Sequence, residues 1–141
     1  MFTVVVESGF SAVHRLRFGN GTVEAPHEHD WVVRAHFARS NLDDADMVID
    51  FRQAREALGS VLEPFDQCDL NSKPELAGLN PTAEILARLI FERLVRVGLG
   101  AVCRVEVTEA PGCAASFEPP GRPGAAAIEH PYAFDDKSQR T

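Results

Sequence analysis

Two long stretches in which apolar and polar residues alternate one for one constrain this chain more than any other feature. In residues 2–17, Phe2, Val4, Val6, Phe10, Ala12, His14 and Leu16 share one face, with Thr3, Glu7, Ser11, Arg15 and Arg17 on the other. From about His27 to Ala38 the odd positions His27, His29, Trp31, Val33, Ala35 and Phe37 repeat the pattern. A period of two is that of a strand with one buried face. Between them Gly19-Asn20-Gly21-Thr22 is turn chemistry. The two stretches predict an antiparallel hairpin with a long loop, and they place His14, His27 and His29 on its apolar side.

The period then changes. In "IDFRQAREALGSVLEPF" Asp50 can cap a first turn with Gln53 in the reciprocal position, and Phe51, Ala54, Leu58, Val61 and Leu62 recur at helical spacing. In "NPTAEILARLIFERLVRVGLG" Asn80 stands as cap and Pro81 at the first helical position, ahead of a stripe of Leu86, Leu89, Ile90, Leu94 and Val97 and closing glycines. Residues 101–109 return to alternation, with Cys103, Val105, Val107 and Glu109 on one side, and "CAASFEP" gives a short fourth strand. The order is ββααββ, an α+β chain. From Pro119 the sequence becomes Pro/Gly-rich, so we expect one domain over 1–118 and a surface tail over 119–141.

Composition removes several functions. A chain of 141 residues is one ordinary domain, and no apolar run approaches the roughly 20 residues a bilayer span needs. The first residues, "MFTVVVESGF", lack the basic start and small-residue cleavage site of a signal peptide, which leads us to expect a cytoplasmic protein. Cys68, Cys103 and Cys113 are too far apart for a zinc knuckle and are read as free thiols. A net charge of -7 without a Lys/Arg cluster argues against a nucleic-acid partner.

His27 and His29, at i and i+2 of one strand, project from one face, and His14 on the neighbouring strand could complete a three-imidazole set of the kind that holds catalytic zinc. The residues alone leave a second reading open, in which His27 and His29 are a solvated strand end and His14 is a hydrogen-bonded core histidine.

Six segments in order resemble the 6-pyruvoyl-tetrahydropterin synthase and 6-carboxy-tetrahydropterin synthase family: "FSAVHRL" (10–16), "HEHDW" (27–31), "MVIDF" (47–51), "FDQCDLN" (65–71), "NPTAEILA" (80–87) and "VEVTEAPGCAASF" (105–117). The resemblance implies the tunnelling fold: a four-stranded antiparallel sheet with two helices on one face, sheets joining into a barrel in a trimer or a dimer of trimers. It implies zinc held by His14, His27 and His29, and a pterin ring anchored by Glu109, whose carboxylate can accept from an amino group and a ring N–H together. Thr82 sits where the family's helix start approaches the ring. Arg15 and Arg17 are candidates for triphosphate countercharge or simply solvated arginines.

Family members use 7,8-dihydroneopterin triphosphate, and the chain departs from the common pattern where the base should be. Val23 stands at the cysteine position and Gln67 at the histidine of an Asp-His relay, leaving Asp66; glutamine cannot exchange a proton at neutral pH. Glu24, three residues before His27, resembles a branch in which glutamate replaces the cysteine and 6-hydroxymethyl-dihydropterin is formed for folate synthesis. Glu24 and Asp66 are therefore the expected catalytic groups. Glu28 replaces a glycine between two expected ligands and should turn to the opposite face. The alternatives are standard 6-pyruvoyl or 6-carboxy product formation, and a protein that binds a pterin or purine without the family reaction.

Overall fold

The computed structural model describes residues 1–120, so the expected tail, apart from Pro119 and Pro120, lies outside the described residues. The strands and helices are β1 (Phe2–His14), β2 (His27–Arg39), α1 (Phe51–Leu62), β3 (Cys68–Asp69), α2 (Ala83–Arg96), β4 (Val102–Ala110) and β5 (Cys113–Phe117). The expected order holds with one addition. The two-residue β3 runs parallel to β1 through Ala12↔Cys68 and Val13↔Asp69, making a five-stranded sheet ordered β3-β1-β2-β4-β5. Gln67, with φ of 55°, turns the chain onto the edge of β1, where its N–H donates to the Ser11 carbonyl at 2.7 Å.

β1 and β2 pair without interruption from Phe2↔Arg39 to His14↔His27. Their apolar faces meet the helices: Val6, Phe10, Trp31, Val33 and Phe37 join Leu58 and Leu62 of α1 and Leu86, Ile90, Phe91 and Leu94 of α2 in one buried cluster. Phe10 stacks on Trp31 with ring centroids 6.0 Å apart. Phe51 and Val97, at the ends of the expected stripes, stay more than half exposed, because one opens α1 and the other lies past the last turn of α2. Among the described residues no helix is long and apolar enough to cross a membrane.

Asp50 caps α1 as expected, accepting from the Arg52 N–H at 2.8 Å. The cap of α2 is Thr82 and not Asn80: Thr82 Oγ1 accepts from the Ile85 N–H. Asn80 is engaged elsewhere, its Oδ1 accepting from the Arg17 N–H and its Nδ2 donating to the Arg17 carbonyl. Asn71 does the same for Arg15. These amide pairs replace strand neighbours beyond His14, which is why β1 stops there instead of reaching Arg17.

Two bulges shape β4. Between His36 and Phe37 the register shifts so that Cys103 is the extra residue. It packs with Ala38 apart from the main core, so the expected common face of Cys103 and Val105 is broken by the bulge. The second shift, between Thr108 and Ala110, leaves Glu109 as the bulged residue.

The helix-free face of the sheet is polar: Arg34 pairs with Glu7, and Arg104 lies between Glu106 and Glu118. His36 sits among them with Nε2 buried and, among the described residues, lacking a hydrogen-bond partner. Burial, then the neighbouring Arg104 and Arg34 against the opposing pull of Glu106 and Glu118, holds its pKa below the ordinary imidazole value. The unfolded chain then binds more protons than the native one, so His36 withdraws stability as pH falls below about 6.5. His36→Gln is expected to flatten the fall in urea-unfolding free energy between pH 7 and pH 5; an unchanged slope would show that His36 does not contribute to it.

Candidate metal centre

The apolar faces of β1 and β2 end in imidazoles because the alternation that buries Phe10 and Trp31 continues for one more turn of the pleat. His14 lies directly opposite His27, and His29 lies opposite Ala12. His14 is fully buried, and Trp31 meets His14 and His29 in T-shaped contacts with ring centroids 4.9 and 5.5 Å apart. The register expected from the hairpin is therefore the one that brings the three rings together, at centroid separations of 4.7, 5.2 and 4.7 Å.

Backbone carbonyls fix how two of the rings point. His14 Nδ1 is 2.8 Å from the Pro81 carbonyl and His27 Nδ1 is 3.0 Å from that of Ala25. A carbonyl can only accept, so each Nδ1 carries hydrogen and each neutral ring presents a bare lone pair at Nε2. Those two Nε2 atoms stand 3.0 Å apart. Lone pair to lone pair, that contact is repulsive unless a proton or a cation is shared. Among the described residues His29 Nε2 has no hydrogen-bond partner though buried, and burial pushes its pKa below the ordinary value against the pull of Glu109, favouring the neutral form that a metal could use.

Glu109 completes the group. Its Oε1 is 2.8 Å from His14 Nε2 and 3.3 Å from His29 Nε2, and ligand atoms of His14, His27, His29 and Glu109 all lie within 4.8 Å of one another. A proton on His14 would satisfy Glu109 and leave His29 unserved. A divalent cation serves all four, since bonds of about 2.0 Å to tetrahedral zinc imply donor separations of roughly 3.3 Å. The donor set, nitrogen-rich with one carboxylate, fits zinc.

Glu24 is brought to the rim of this group. Its Oε1 accepts from the Leu16 N–H at 2.9 Å and stands 3.6 Å from His27 Nε2, while its own N–H donates to the Leu16 carbonyl. Asp66 is not brought there. Its Oδ1 accepts from the Ser11 N–H on the outer edge of β1, across that strand from β2. Gln67 and Val23 are exposed, and Glu28 is exposed on the face its alternation assigns. Arg15 and Arg17 are exposed as well.

A cavity of about 320 Å³ adjoins the cluster, lined by Leu16, Thr82, Glu84, Glu109, Cys113 and Ala114 among others. It has the size and the few convergent polar groups of a small-molecule site. Thr82 and Glu109, expected to bind one ligand, share its wall. Sequence reasoning missed Cys113 as a lining residue and the carbonyls of Pro81 and Ala25 as orienting groups; a backbone carbonyl has no side-chain signature. The Cys68 thiol donates to the Phe65 carbonyl and burial pushes its pKa up, which disfavours the thiolate.

Residues 3–120 match the family model described as 6-pyruvoyl tetrahydropterin synthase. A sequence search of curated proteins gave no match. Among solved structures, the Caenorhabditis elegans 6-pyruvoyl tetrahydropterin synthase superposes with a TM-score of 0.73 at 20% identity, covering 83% of this chain and 94% of that one. The Plasmodium vivax 6-pyruvoyl tetrahydropterin synthase gives 0.66 at 19% identity, with 82% and 96% covered. Two further Plasmodium vivax structures are of variants in which a catalytic residue, a glutamate, is replaced by alanine or cysteine. An uncharacterized Wolinella succinogenes protein gives 0.63 at 16% identity, covering 83% of this chain and 97% of that one.

Proposed function

The chain belongs to the 6-pyruvoyl tetrahydropterin synthase family, and from that premise we propose that it is a zinc-dependent lyase acting on 7,8-dihydroneopterin triphosphate or a close analogue, with Glu24 as base and 6-hydroxymethyl-dihydropterin as product. The observation that carries this reading is the convergence of three imidazoles and Glu109 on one point, with Glu109 also lining the adjoining cavity beside Thr82. Zinc held by His14, His27 and His29 would supply Lewis-acid polarisation of a substrate hydroxyl.

The protein's own residues do the rest. Glu109 can accept from the amino group and ring N–H of a pterin, and Thr82, whose oxygen already accepts from Ile85, keeps its hydroxyl hydrogen to donate. Glu24 stands beside His27 on the side of the loop, where it can take the proton of the C2′ hydroxyl. The C1′–C2′ bond then breaks, the two outer carbons leave as an aldehyde that carries the triphosphate, and the proton returns to C1′ to give the hydroxymethyl group. That a glutamate is a catalytic residue of the Plasmodium vivax relative supports a carboxylate in this role. Asp66, on the outer edge of β1, would reach such a site only across a contact between copies. Among the described residues two open sheet edges favour such a contact: β1 is paired by β3 only at Ala12 and Val13, and β5 ends the sheet. Copies joining edge to edge into a trimer or a dimer of trimers, in the cytoplasm, belong to this reading.

Standard 6-pyruvoyl or 6-carboxy product formation has one observation in its favour, since the exposed Cys113 thiol lines the same cavity. Product identification after incubating zinc-loaded protein with 7,8-dihydroneopterin triphosphate decides. We expect 6-hydroxymethyl-dihydropterin. A 6-pyruvoyl or 6-carboxy product would replace that assignment, and binding without turnover would leave a pterin- or purine-binding protein.

A further inference from the structure

Glu109 faces two demands that one carboxylate cannot meet in full. Its Oε1 is within 2.8 Å of His14 Nε2 and 3.3 Å of His29 Nε2, inside the group of four ligand atoms, and the residue also lines the cavity beside Thr82 and Cys113. It reaches both places because it is the extra residue of the β4 bulge between Thr108 and Ala110, where the strand bends and its side chain is re-aimed. Its exposure, 28% for the side chain, leaves it room to turn from one partner to the other.

We propose that Glu109 is the fourth ligand of the metal centre when the cavity is empty, and that a pterin ring entering the cavity draws the carboxylate away and opens a coordination position for the substrate side chain. This rests on the zinc-pterin reading above and adds a coupling to it. The donor separations carry the argument: Glu109 stands as close to the imidazole nitrogens as they stand to each other, 3.0 Å between His14 and His27. A pterin ring offers two adjacent hydrogen-bond donors for which that same carboxylate is the acceptor on the cavity wall. Ring binding and carboxylate ligation are then linked, and by reciprocity each weakens the other.

The test uses cobalt(II) in place of zinc, since its visible spectrum reports coordination, and 6-unsubstituted 7,8-dihydropterin, which lacks the side chain that could itself bind metal. In the wild type, adding the pterin is expected to shift the cobalt spectrum. In Glu109→Gln, close to glutamate in size but without its charge, we expect metal to bind at least about tenfold more weakly. The variant's spectrum without pterin should resemble that of the pterin-loaded wild type, and pterin should not move it further. Equal metal affinity in wild type and variant, or a wild-type spectrum unmoved at saturating pterin, would overturn the coupling while leaving the three-histidine site intact. Absence of stoichiometric cobalt from the wild type would instead overturn the zinc-pterin reading and this inference with it.

Discussion

Replacing His27 with alanine is expected to reduce bound zinc from one equivalent per chain to none after exchange against a moderate chelator. His27 is the informative position because its side chain is 36% exposed, whereas His14 is fully buried and its loss would open a cavity beneath Trp31. Removing His27 takes away one of the two lone pairs that face each other at 3.0 Å, and with it the repulsion that a cation relieves. The metal-free variant should therefore fold about as well as the metal-free wild type, and differ only when zinc is present. Zinc at a hundredfold its dissociation constant stabilises a folded site by about 2.7 kcal/mol. Wild-type unfolding should shift by that order on adding zinc, while the variant's stays where it was. A variant that keeps a full equivalent of zinc, or is stabilised by it as the wild type is, would rule out the three-histidine site.

The part of the site that lies on β1 and β2 was legible in the sequence because strand alternation is a strict rule: once Phe10 and Trp31 face the core, His14, His27 and His29 must follow. The helical stripes were legible for the same reason, and blurred only at Phe51 and Val97, where the helices end. Features that break periodicity were not. β3 has two residues and depends on Gln67 taking a left-handed conformation, which nothing in its neighbours signals. Asn80 and Thr82 are both competent helix caps, and the choice was made by Arg17, distant in sequence, whose backbone needed an amide partner. The bulge at Cys103 reversed an expected face. The bulge at Glu109 did more: alternation alone gives its side of the sheet, but not its approach to His14 and His29. The imidazoles are readable because they obey the pleat, and the residue that joins their cluster to the cavity is one that departs from it.

Glu24→Gln is expected to lower kcat by about 10²- to 10⁴-fold, the usual contribution of a positioned general base, with zinc content and folding unchanged. The choice of glutamine matters because Glu24 does two things. Its Oε1 accepts from the Leu16 N–H, which with the Glu24 N–H to Leu16 carbonyl bond closes the loop onto β1's continuation, and the same oxygen stands 3.6 Å from His27 Nε2. Glutamine keeps an acceptor oxygen for Leu16 and loses the ability to take a proton. Alanine loses both. If Glu24 matters only as a loop clasp, Glu24→Gln should turn over near the wild-type rate and Glu24→Ala should not; if it is the base, both should fail, with KM for the pterin little changed because the proposed ring anchors, Glu109 and Thr82, are untouched. Near-wild-type turnover by Glu24→Gln would move the base from the rim of the imidazole cluster to a group lining the cavity. The first group to remove would then be the Cys113 thiol, since it lines the same wall.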